Sequence, residues 1–344
     1  MKEAKLLAKV DAQLESYLEP PTLGNQFLDD SALRGYLDMY LNLMGLEEEV
    51  AIDIIHTLTS LGKNVAGYQN LAFEAEQHHP TLQVFDAFGK RINKVTTSHE
   101  WKLLREAAIK ENIISDVYSG RFGVANRFVQ VIKIYLFHAS SAMWGGPMAV
   151  SDGLAAVLKK ALNGKSGGDE MLKNCFDHLT SSDPAKAWSA GQWTTEKEGH
   201  IDPIQRIQTV ANSTNDPKVF KLYGLKWYSM APEGEVSIAL ARIVDQATGK
   251  ADERLSAFLV SIRDSQGEII KGIEITRLRE KLGTKTIPAA ELVLKGVEAT
   301  LISERGEGLD MLFPLTDITR LHSSGGAVSY ARRVHILCKD YALK

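Results

Sequence analysis

The sequence predicts a multidomain α+β protein with an N-terminal α-helical domain, a middle antiparallel β-sheet or β-barrel domain, and the start of a C-terminal helical bundle. Two changes of hydrophobic period indicate this order. Apolar residues recur at helical spacing up to about residue 190, and short β-branched and aromatic runs follow up to about residue 302 before helical spacing returns. Because 344 residues exceed the size of most single cores, we predict three parts, 1–190, 191–302 and 303–344.

In the first part, turn and capping residues divide the helical pattern. Asp30 is among the residues that can cap a helix, and Gly62 and Pro80 are expected to end two others. The piece HPTLQVFDAFGKRINKV is typical of extended chain with a turn at Gly89, and Gly145-Gly146-Pro147 is expected to interrupt a helix. The predicted helices are Lys2–Leu18, Ala32–Leu43, Glu47–Leu61, Tyr68–Gln77, Glu100–Ile114, Phe122–Ser141, Asp152–Leu162 and Glu170–Leu179.

In the second part the runs are short, and turn residues separate them without intervening helices. This pattern favours an antiparallel sheet or a small barrel. The predicted strands are Val219–Met230 around Gly224, Ser237–Val244, Leu255–Arg263, Gly272–Leu278 and Glu291–Ile302. Two helices, Leu309–Leu321 and Ala327–Tyr341, are predicted to follow, with Gly325-Gly326 between them as a turn or a close-packing feature.

Composition excludes several classes of function. Hydrophobic content of 44%, charged content of 24% and a net charge of −3 are those of an ordinary globular protein, and they give no basic field for nucleic acid. No apolar run is long enough for a membrane span, and the N-terminus lacks a secretory signal, so we expect an intracellular protein, either cytoplasmic or mitochondrial or peroxisomal without a visible targeting signal. The histidines and two cysteines show no metal-ligand spacing, which predicts no metal site.

The polar segment Thr194 to Gly199, within QWTTEKEGHIDP, lies where the helical pattern gives way to the strand pattern. It is followed by a strand that contains Trp227. Hydroxyl groups, backbone amides and an indole ring are suited to hold a flat ligand with a polar edge. The alternatives are a helix cap or turn for the threonines and a core aromatic for Trp227.

Three motifs resemble those of the acyl-CoA dehydrogenase family. TTEKEGHIDP resembles the family's T-E-x-x-G-S-D segment, GLKWYS resembles G-x-K-x-W-I-T, and DITR at Asp317 resembles D-x-T-R. The pieces PPTLGNQFLDDSAL and HPTLQVFDAFGKRINKV are similar to the AidB-like branch of that family, and the resemblance extends from Pro20 to Leu343.

The resemblance implies a flavoprotein that binds FAD and acyl-CoA, dehydrogenates the acyl chain between its α and β carbons and transfers a hydride to FAD. It also implies a homo-oligomer for the full-length family. His200 and Ile201 depart from the family's pattern, because Ile201 replaces a serine hydroxyl. The implied cofactor-binding residues are Trp193, Thr194, Thr195, Gly199, Trp227, Tyr228 and Ser229, and the implied substrate-binding residues are Ile201, Asp317 and Arg320.

The family's catalytic glutamate belongs to a C-terminal bundle for which this sequence offers no counterpart, so we predict no catalytic residue here. For Asp317 and Arg320, at i and i+3 of a helix, a surface ion pair is the alternative. We therefore expect a truncated acyl-CoA dehydrogenase that is weak or inactive by itself. The alternatives are a non-catalytic module that binds flavin or acyl-CoA, and a structural protein that has lost the cofactor.

Overall fold

The structure, a computed structural model, describes residues 9–10, 19–164, 169–198 and 206–344. Its first part is helical, and local capping explains several of the helix starts. Asp30 accepts a hydrogen bond from the Leu33 amide, Ser98 from the Trp101 amide and Asp169 from the Leu172 amide. The helices are α1 (Ser31–Met44), α2 (Glu48–Gln77), α3 (His99–Lys110), α4 (Ser115–Ser119), α5 (Asn126–Phe137), α6 (Gly145–Asn163) and α7 (Glu170–Leu179).

Gly62 does not end a helix, and this prediction was wrong. The helices predicted over Glu47–Leu61 and Tyr68–Gln77 form the single helix α2, which continues through Gly62. A Cβ at Gly62 would lie 2.6 Å from the Phe27 backbone nitrogen. The glycine is therefore required because the loop before α1 crosses the helix at close range. The packing of the loop on the helix offsets the destabilisation that glycine causes inside a helix.

Gly145-Gly146-Pro147 does not interrupt a helix either, because α6 begins at Gly145 and continues to Asn163. Pro147 lies in the first turn of the helix. Backbone amides in a first turn have no acceptor within the helix, so the absence of an amide hydrogen in proline costs no helical hydrogen bond. On the same helix the buried Asp152 accepts hydrogen bonds from Arg127 at 2.6 Å and from His322 at 2.9 Å. This network joins α6 to α5 and to the last helix.

The middle part is a barrel. Its strands are β3 (Ala190–Trp193), β4 (Val210–Ser213), β5 (Val219–Met230), β6 (Val236–Ile243), β7 (Ser256–Ser261), β8 (Ile273–Leu278) and β9 (Ala289–Leu301). In the described part of the chain, strands β6, β4, β5, β9 and β7 are hydrogen-bonded in that order, and β7 pairs again with β6 to close the ring. Strand β3 extends the edge of β6, and β8 pairs with β9 outside the ring.

The short strands β3 and β4 were not predicted, and both run parallel to β6, so the sheet is mixed rather than purely antiparallel. They follow one another along the same edge of β6, with β3 opposite Val236–Ala239 and β4 opposite Arg242 and Ile243. The described residues 194–198 and 206–209, which lie between β3 and β4 in the sequence, belong to neither strand. The described part of the polar segment therefore lies outside the sheet.

A hairpin from the helical part covers an edge of the barrel. It consists of β1 (Thr81–Phe85) and β2 (Arg91–Thr96), with the predicted turn at Gly89, whose φ is +83°. The side-chain amide of Asn93 donates to the Ile273 carbonyl at 3.0 Å and accepts from the Ile275 amide at 3.2 Å. One asparagine side chain thus satisfies the free edge of β8, which would otherwise be open to another strand.

The chain ends in a long helix. After the short α8 (Gly308–Met311), α9 runs without a break over Phe313–Leu343, so the two helices predicted on either side of Gly325-Gly326 are one. A Cβ at Gly326 would lie 2.7 Å from Nε2 of His138, which makes the glycine a close-packing residue rather than a turn. No helix among the described residues combines the length and the apolar composition needed to cross a membrane.

Candidate functional site

The polar segment is anchored to the barrel by the buried side chain of Glu196. One carboxylate oxygen accepts from the Gln208 amide at 2.7 Å, and the other accepts from Thr209 and from Nζ of Lys226, at 2.7 Å from the lysine. Glu196, which follows β3, is therefore hydrogen-bonded to Gln208 and Thr209, which precede β4. The described residues at the start of the polar segment, Thr194 and Thr195, are held in place by this anchor.

Lys226 and Glu196 form a buried ion pair. The Lys226 side chain is fully buried and also donates to the Leu240 carbonyl at 2.9 Å. Burial lowers the pKa of Lys226. Burial acts to raise the pKa of Glu196, but Lys226 and the surrounding donors keep that pKa below its usual value, so the carboxylate is charged at neutral pH. Glu196 acts as a structural anchor.

A bulge in β5 presents Trp227 and Tyr228. Lys226 lies opposite Leu292 of β9 and Ser229 lies opposite Ala290, so two residues of β5 face one residue of β9. Tyr228 has a φ of +53° and is exposed. The Trp227 amide donates to the Thr195 carbonyl at 2.9 Å. The structure thus brings together two residues that are 32 positions apart and that belong to separate predicted motifs.

Arg279, which follows β8, lies over the Trp227 ring. Its guanidinium carbon is 4.4 Å from the Trp227 ring centroid and 5.7 Å from that of Tyr228. One terminal nitrogen donates to Glu291 at 2.9 Å, and Nε is buried without a hydrogen-bond partner in the described structure. Sequence reasoning did not single out Arg279, because the register of β8 and β5 on β9 creates its contact with Trp227.

The unpaired hydroxyl of Ser229 indicates whether the residues of this site suit a flavin. Its side chain is fully buried, and its hydroxyl has no hydrogen-bond partner among the residues that the structure describes. An unpaired buried hydroxyl costs about 1–3 kcal/mol, which a ligand with a polar edge would recover. Together with the exposed Thr195 and the half-buried Trp227, it provides two hydroxyl groups and an aromatic surface, and these fit a ring system such as a flavin.

Trp193 has a different position from the other predicted cofactor residues. Its side chain is fully buried in the apolar core of the barrel, and its indole nitrogen donates to the Met230 carbonyl at 3.2 Å. The structure therefore places Trp193 in the barrel core.

Two of the predicted substrate residues lie on α9, and the third is not described. Asp317 and Arg320 are exposed near the start of the helix, and among the described residues no ion pair joins them, so the predicted alternative of a surface pair is not formed. Helix α9 packs mainly on α6 and α5, away from the β5 bulge. Gly199, His200 and Ile201 lie outside the described residues, and so does most of the predicted helix Lys2–Leu18.

Comparison with protein families matches two separate parts of the chain. Residues 24–177 match the model of the adaptive response protein AidB N-terminal domain, and residues 191–297 match that of the acyl-CoA dehydrogenase middle domain. The chain belongs to the acyl-CoA dehydrogenase family, in its AidB-like branch. The predicted family and the predicted fold class are both confirmed.

Two curated relatives of this chain come from a nematode and a bacterium. Acyl-CoA dehydrogenase family member 11 of Caenorhabditis elegans is 36% identical over 94% of this chain, and the putative acyl-CoA dehydrogenase AidB of Escherichia coli is 24% identical over 83% of it. The chain spans about half the length of these curated relatives, 52% of each.

One solved structure extends the likeness to three dimensions. The crystal structure of Caenorhabditis elegans ACDH-11 in complex with C11-CoA has a TM-score of 0.87 to this chain at 36% identity. The matched region covers 94% of this chain and 54% of the ACDH-11 chain. The fold described above is therefore also the fold of an experimentally determined relative.

Proposed function

We propose that this chain supplies the helical and β-barrel parts of a FAD-dependent acyl-CoA dehydrogenase. The observation that carries the proposal is the hydrogen bond from the Trp227 amide to the Thr195 carbonyl, and Ser229, two residues after Trp227, has a buried hydroxyl without a partner in the described structure. These are residues of the two motifs that resemble the family's flavin segments. When bound, FAD supplies an acceptor for a hydride from the β carbon of an acyl-CoA thioester.

The residues of the site hold and polarise the ring. Thr194 and Thr195 offer hydroxyl donors to its polar edge, Ser229 offers a third from the strand, and Trp227 provides an apolar surface. Donors fixed in advance stabilise the negative charge that a flavin gains on reduction. The buried Lys226–Glu196 pair keeps the two segments in register, so it acts as a positioning element.

Removal of the α-proton is assigned to none of the described residues. Near Thr195 and Trp227, Glu196 is paired with Lys226, Glu198 accepts from Gln208 at 2.8 Å, and Glu291 is paired with Arg277 and Arg279. A general base must lie within reach of the substrate's proton, whereas these carboxylates serve as acceptors for groups of the protein itself. This role favours a second candidate function, a module that binds flavin without turnover.

Acyl-CoA is the proposed substrate because the chain belongs to this family and a relative was solved in complex with C11-CoA. Asp317 and Arg320 are proposed to contact the coenzyme A part, since both are exposed and they do not pair with each other. Arginine is suited to phosphate recognition because its planar guanidinium can donate two parallel hydrogen bonds.

The test is a visible absorption spectrum of the purified chain after incubation with excess FAD and removal of free FAD. We expect a retained flavin band, and we expect its loss in a Trp227→Leu variant. Trp188→Leu is the matched control, because Trp188 is also partly buried but stacks on His178 instead. A wild-type chain that is folded by circular dichroism and retains no flavin contradicts the proposal. A retained band that acyl-CoA does not bleach favours the non-catalytic module.

A further inference from the structure

Two contacts hold Arg279 against the Trp227 ring. Its guanidinium carbon is 4.4 Å from the ring centroid of Trp227, which is inside the limit of about 6 Å for a cation–π contact. A terminal nitrogen of Arg279 also donates to Glu291 of β9 at 2.9 Å. The side chain of Arg279 is half-buried, with 25% of its surface exposed. Arg279 therefore presents a fixed positive charge to the aromatic surface of the candidate flavin site.

Two buried polar atoms next to Trp227 have no hydrogen-bond partner in the described structure. They are the Ser229 hydroxyl and Nε of Arg279, and they are two of the five such side-chain atoms among the described residues. Ser229 neighbours Trp227 in the strand, and Arg279 neighbours it in space. A hydroxyl can donate or accept, but a guanidinium Nε–H can only donate. Arg279 is therefore suited to an acceptor, and most of all to one that carries negative charge.

The charge of Arg279 is only partly offset by Glu291. Burial acts to raise the pKa of Glu291, but Arg277 and Arg279 keep that pKa below its usual value, so the carboxylate is charged at neutral pH. Two guanidinium groups share this one carboxylate, Arg277 at 2.8 Å and Arg279 at 2.9 Å. Two positive charges and one negative charge leave the cluster beside Trp227 with a net charge of +1.

The other charges of the neighbouring segments act more weakly on the site. The Lys226–Glu196 pair is buried and has no net charge. Nζ of Lys197 is 5.7 Å from the ring centroid of Trp227, but this side chain is exposed, so solvent and salt screen its charge. The same screening applies to the exposed carboxylates Glu198 and Glu280. Among the described residues, Arg279 is thus the half-buried charge in contact with the aromatic surface.

We propose that Arg279 makes this site bind a reduced flavin more tightly than an oxidised flavin and so raises the reduction potential of the bound flavin. The inference rests on the proposed function, and it adds a residue that was not among the predicted cofactor-binding residues. A hydride brings two electrons and one proton, so the reduced ring carries one more negative charge than the oxidised ring. A fixed cation nearby stabilises that charge. Arg279 acts through the ring of Trp227, so it is a positioning residue.

The test measures the reduction potential of FAD bound to the purified chain, by anaerobic titration with dithionite in the presence of a reference dye. Dithionite supplies the electrons, so the measurement does not depend on catalytic turnover. In Arg279→Met, the affinity for reduced FAD relative to oxidised FAD should fall at least ~10-fold, the size of the effect that one nearby charge has on an ionisation. For a two-electron couple, a tenfold change corresponds to a potential that is lower by about 30 mV.

The matched control is Arg277→Met. Arg277 binds the same carboxylate, but its side chain is exposed, and no cation–π contact joins it to Trp227 in the described structure. Its loss should therefore lower the potential by less than the loss of Arg279 does. Arg279→Lys keeps the charge and should retain most of the wild-type potential. Glu291→Gln removes the offsetting carboxylate and should shift the potential in the opposite direction, upward.

A merely structural role of Arg279 would lower thermal stability or the affinity for oxidised FAD and leave the potential unchanged. An unchanged potential in Arg279→Met, or an equal shift in Arg277→Met, overturns the inference. Loss of oxidised FAD from Arg279→Met but not from Arg279→Lys overturns it as well, because the charge then serves binding of both forms. If Arg279→Met does not fold by circular dichroism, Glu291→Gln decides, and a potential that does not rise is the contrary result.

The outcomes separate this inference from the proposed function. A folded wild-type chain that retains no FAD rejects the proposed function and this inference together. A chain that retains FAD with a potential that is insensitive to Arg279 and Glu291 rejects the inference alone and leaves the flavin site in place.

Discussion

At the scale of single residues, Ser229 and Ser237 are a natural pair for comparison, because both are fully buried serines of the barrel. The Ser237 hydroxyl donates to the Gly191 carbonyl at 2.9 Å, whereas the Ser229 hydroxyl has no partner in the described structure. We expect Ser229→Ala to leave the free energy of unfolding unchanged or slightly higher and to weaken flavin retention. Ser237→Ala should lower the free energy of unfolding by about 1 kcal/mol and leave the affinity for flavin unchanged. Urea unfolding and FAD titration measure the two effects, and a loss of stability in Ser229→Ala would contradict our interpretation.

The buried pair of Lys226 and Glu196 gives a second prediction at this scale. Lys226→Met leaves the Glu196 carboxylate buried and unpaired, which should lower the free energy of unfolding by about 3–5 kcal/mol. Combining Lys226→Met with Glu196→Gln removes the charge and should recover part of that loss. Denaturant unfolding of the wild type and the two variants tests this, and a double variant less stable than Lys226→Met would show that the charge is not the cause.

At the scale of elements, glycines inside helices have opposite roles that depend on their neighbours. Gly326 of α9 packs against His138, whereas Gly67 of α2 has open space around the position of its missing Cβ. We expect Gly326→Ala to lower the free energy of unfolding by about 1–3 kcal/mol through overpacking, and Gly67→Ala to raise it by up to about 1 kcal/mol through helix propensity. Thermal unfolding of the two variants checks the signs. A neutral Gly326→Ala would mean that α9 can move away from α5 without cost.

At the scale of the whole molecule, His138 links the stability of the helical core to pH. Burial, with a smaller contribution from the nearby His322, lowers the pKa of His138 to about 4. The unfolded chain, with a pKa near 6.5, binds the proton first. The stability held by the neutral ring is therefore complete above about pH 6.5 and is lost as the pH falls to about 4.

The measurement is the difference in unfolding free energy between the wild type and His138→Gln, which isolates one group from the other titrating residues. We expect the wild type to lose about 3 kcal/mol relative to the variant between pH 7 and pH 4. A difference that stays constant over this range would show that the pKa of His138 is the same in the folded and the unfolded chain.

Much of the secondary structure followed from the sequence. The strand Val219–Met230 and the helix Glu170–Leu179 have the predicted bounds, because each is long or strongly periodic and ends at turn residues. Two of the errors have a related cause. Gly62 and Gly145 were expected to end or interrupt helices, whereas each permits a close contact, with Phe27 and with His138 respectively.

The sequence by itself determined the order of the helical and β parts, the family, and the two segments that carry Thr195 and Trp227. These depend on periodicity and on motifs that are read along the chain. Only the tertiary structure decided that the two segments meet, that Trp193 is a core residue, and that Arg279 lies over Trp227. Strand register and the parallel placement of β3 and β4 on β6 set these contacts. Register is a property of pairing between distant segments, and local composition does not encode it.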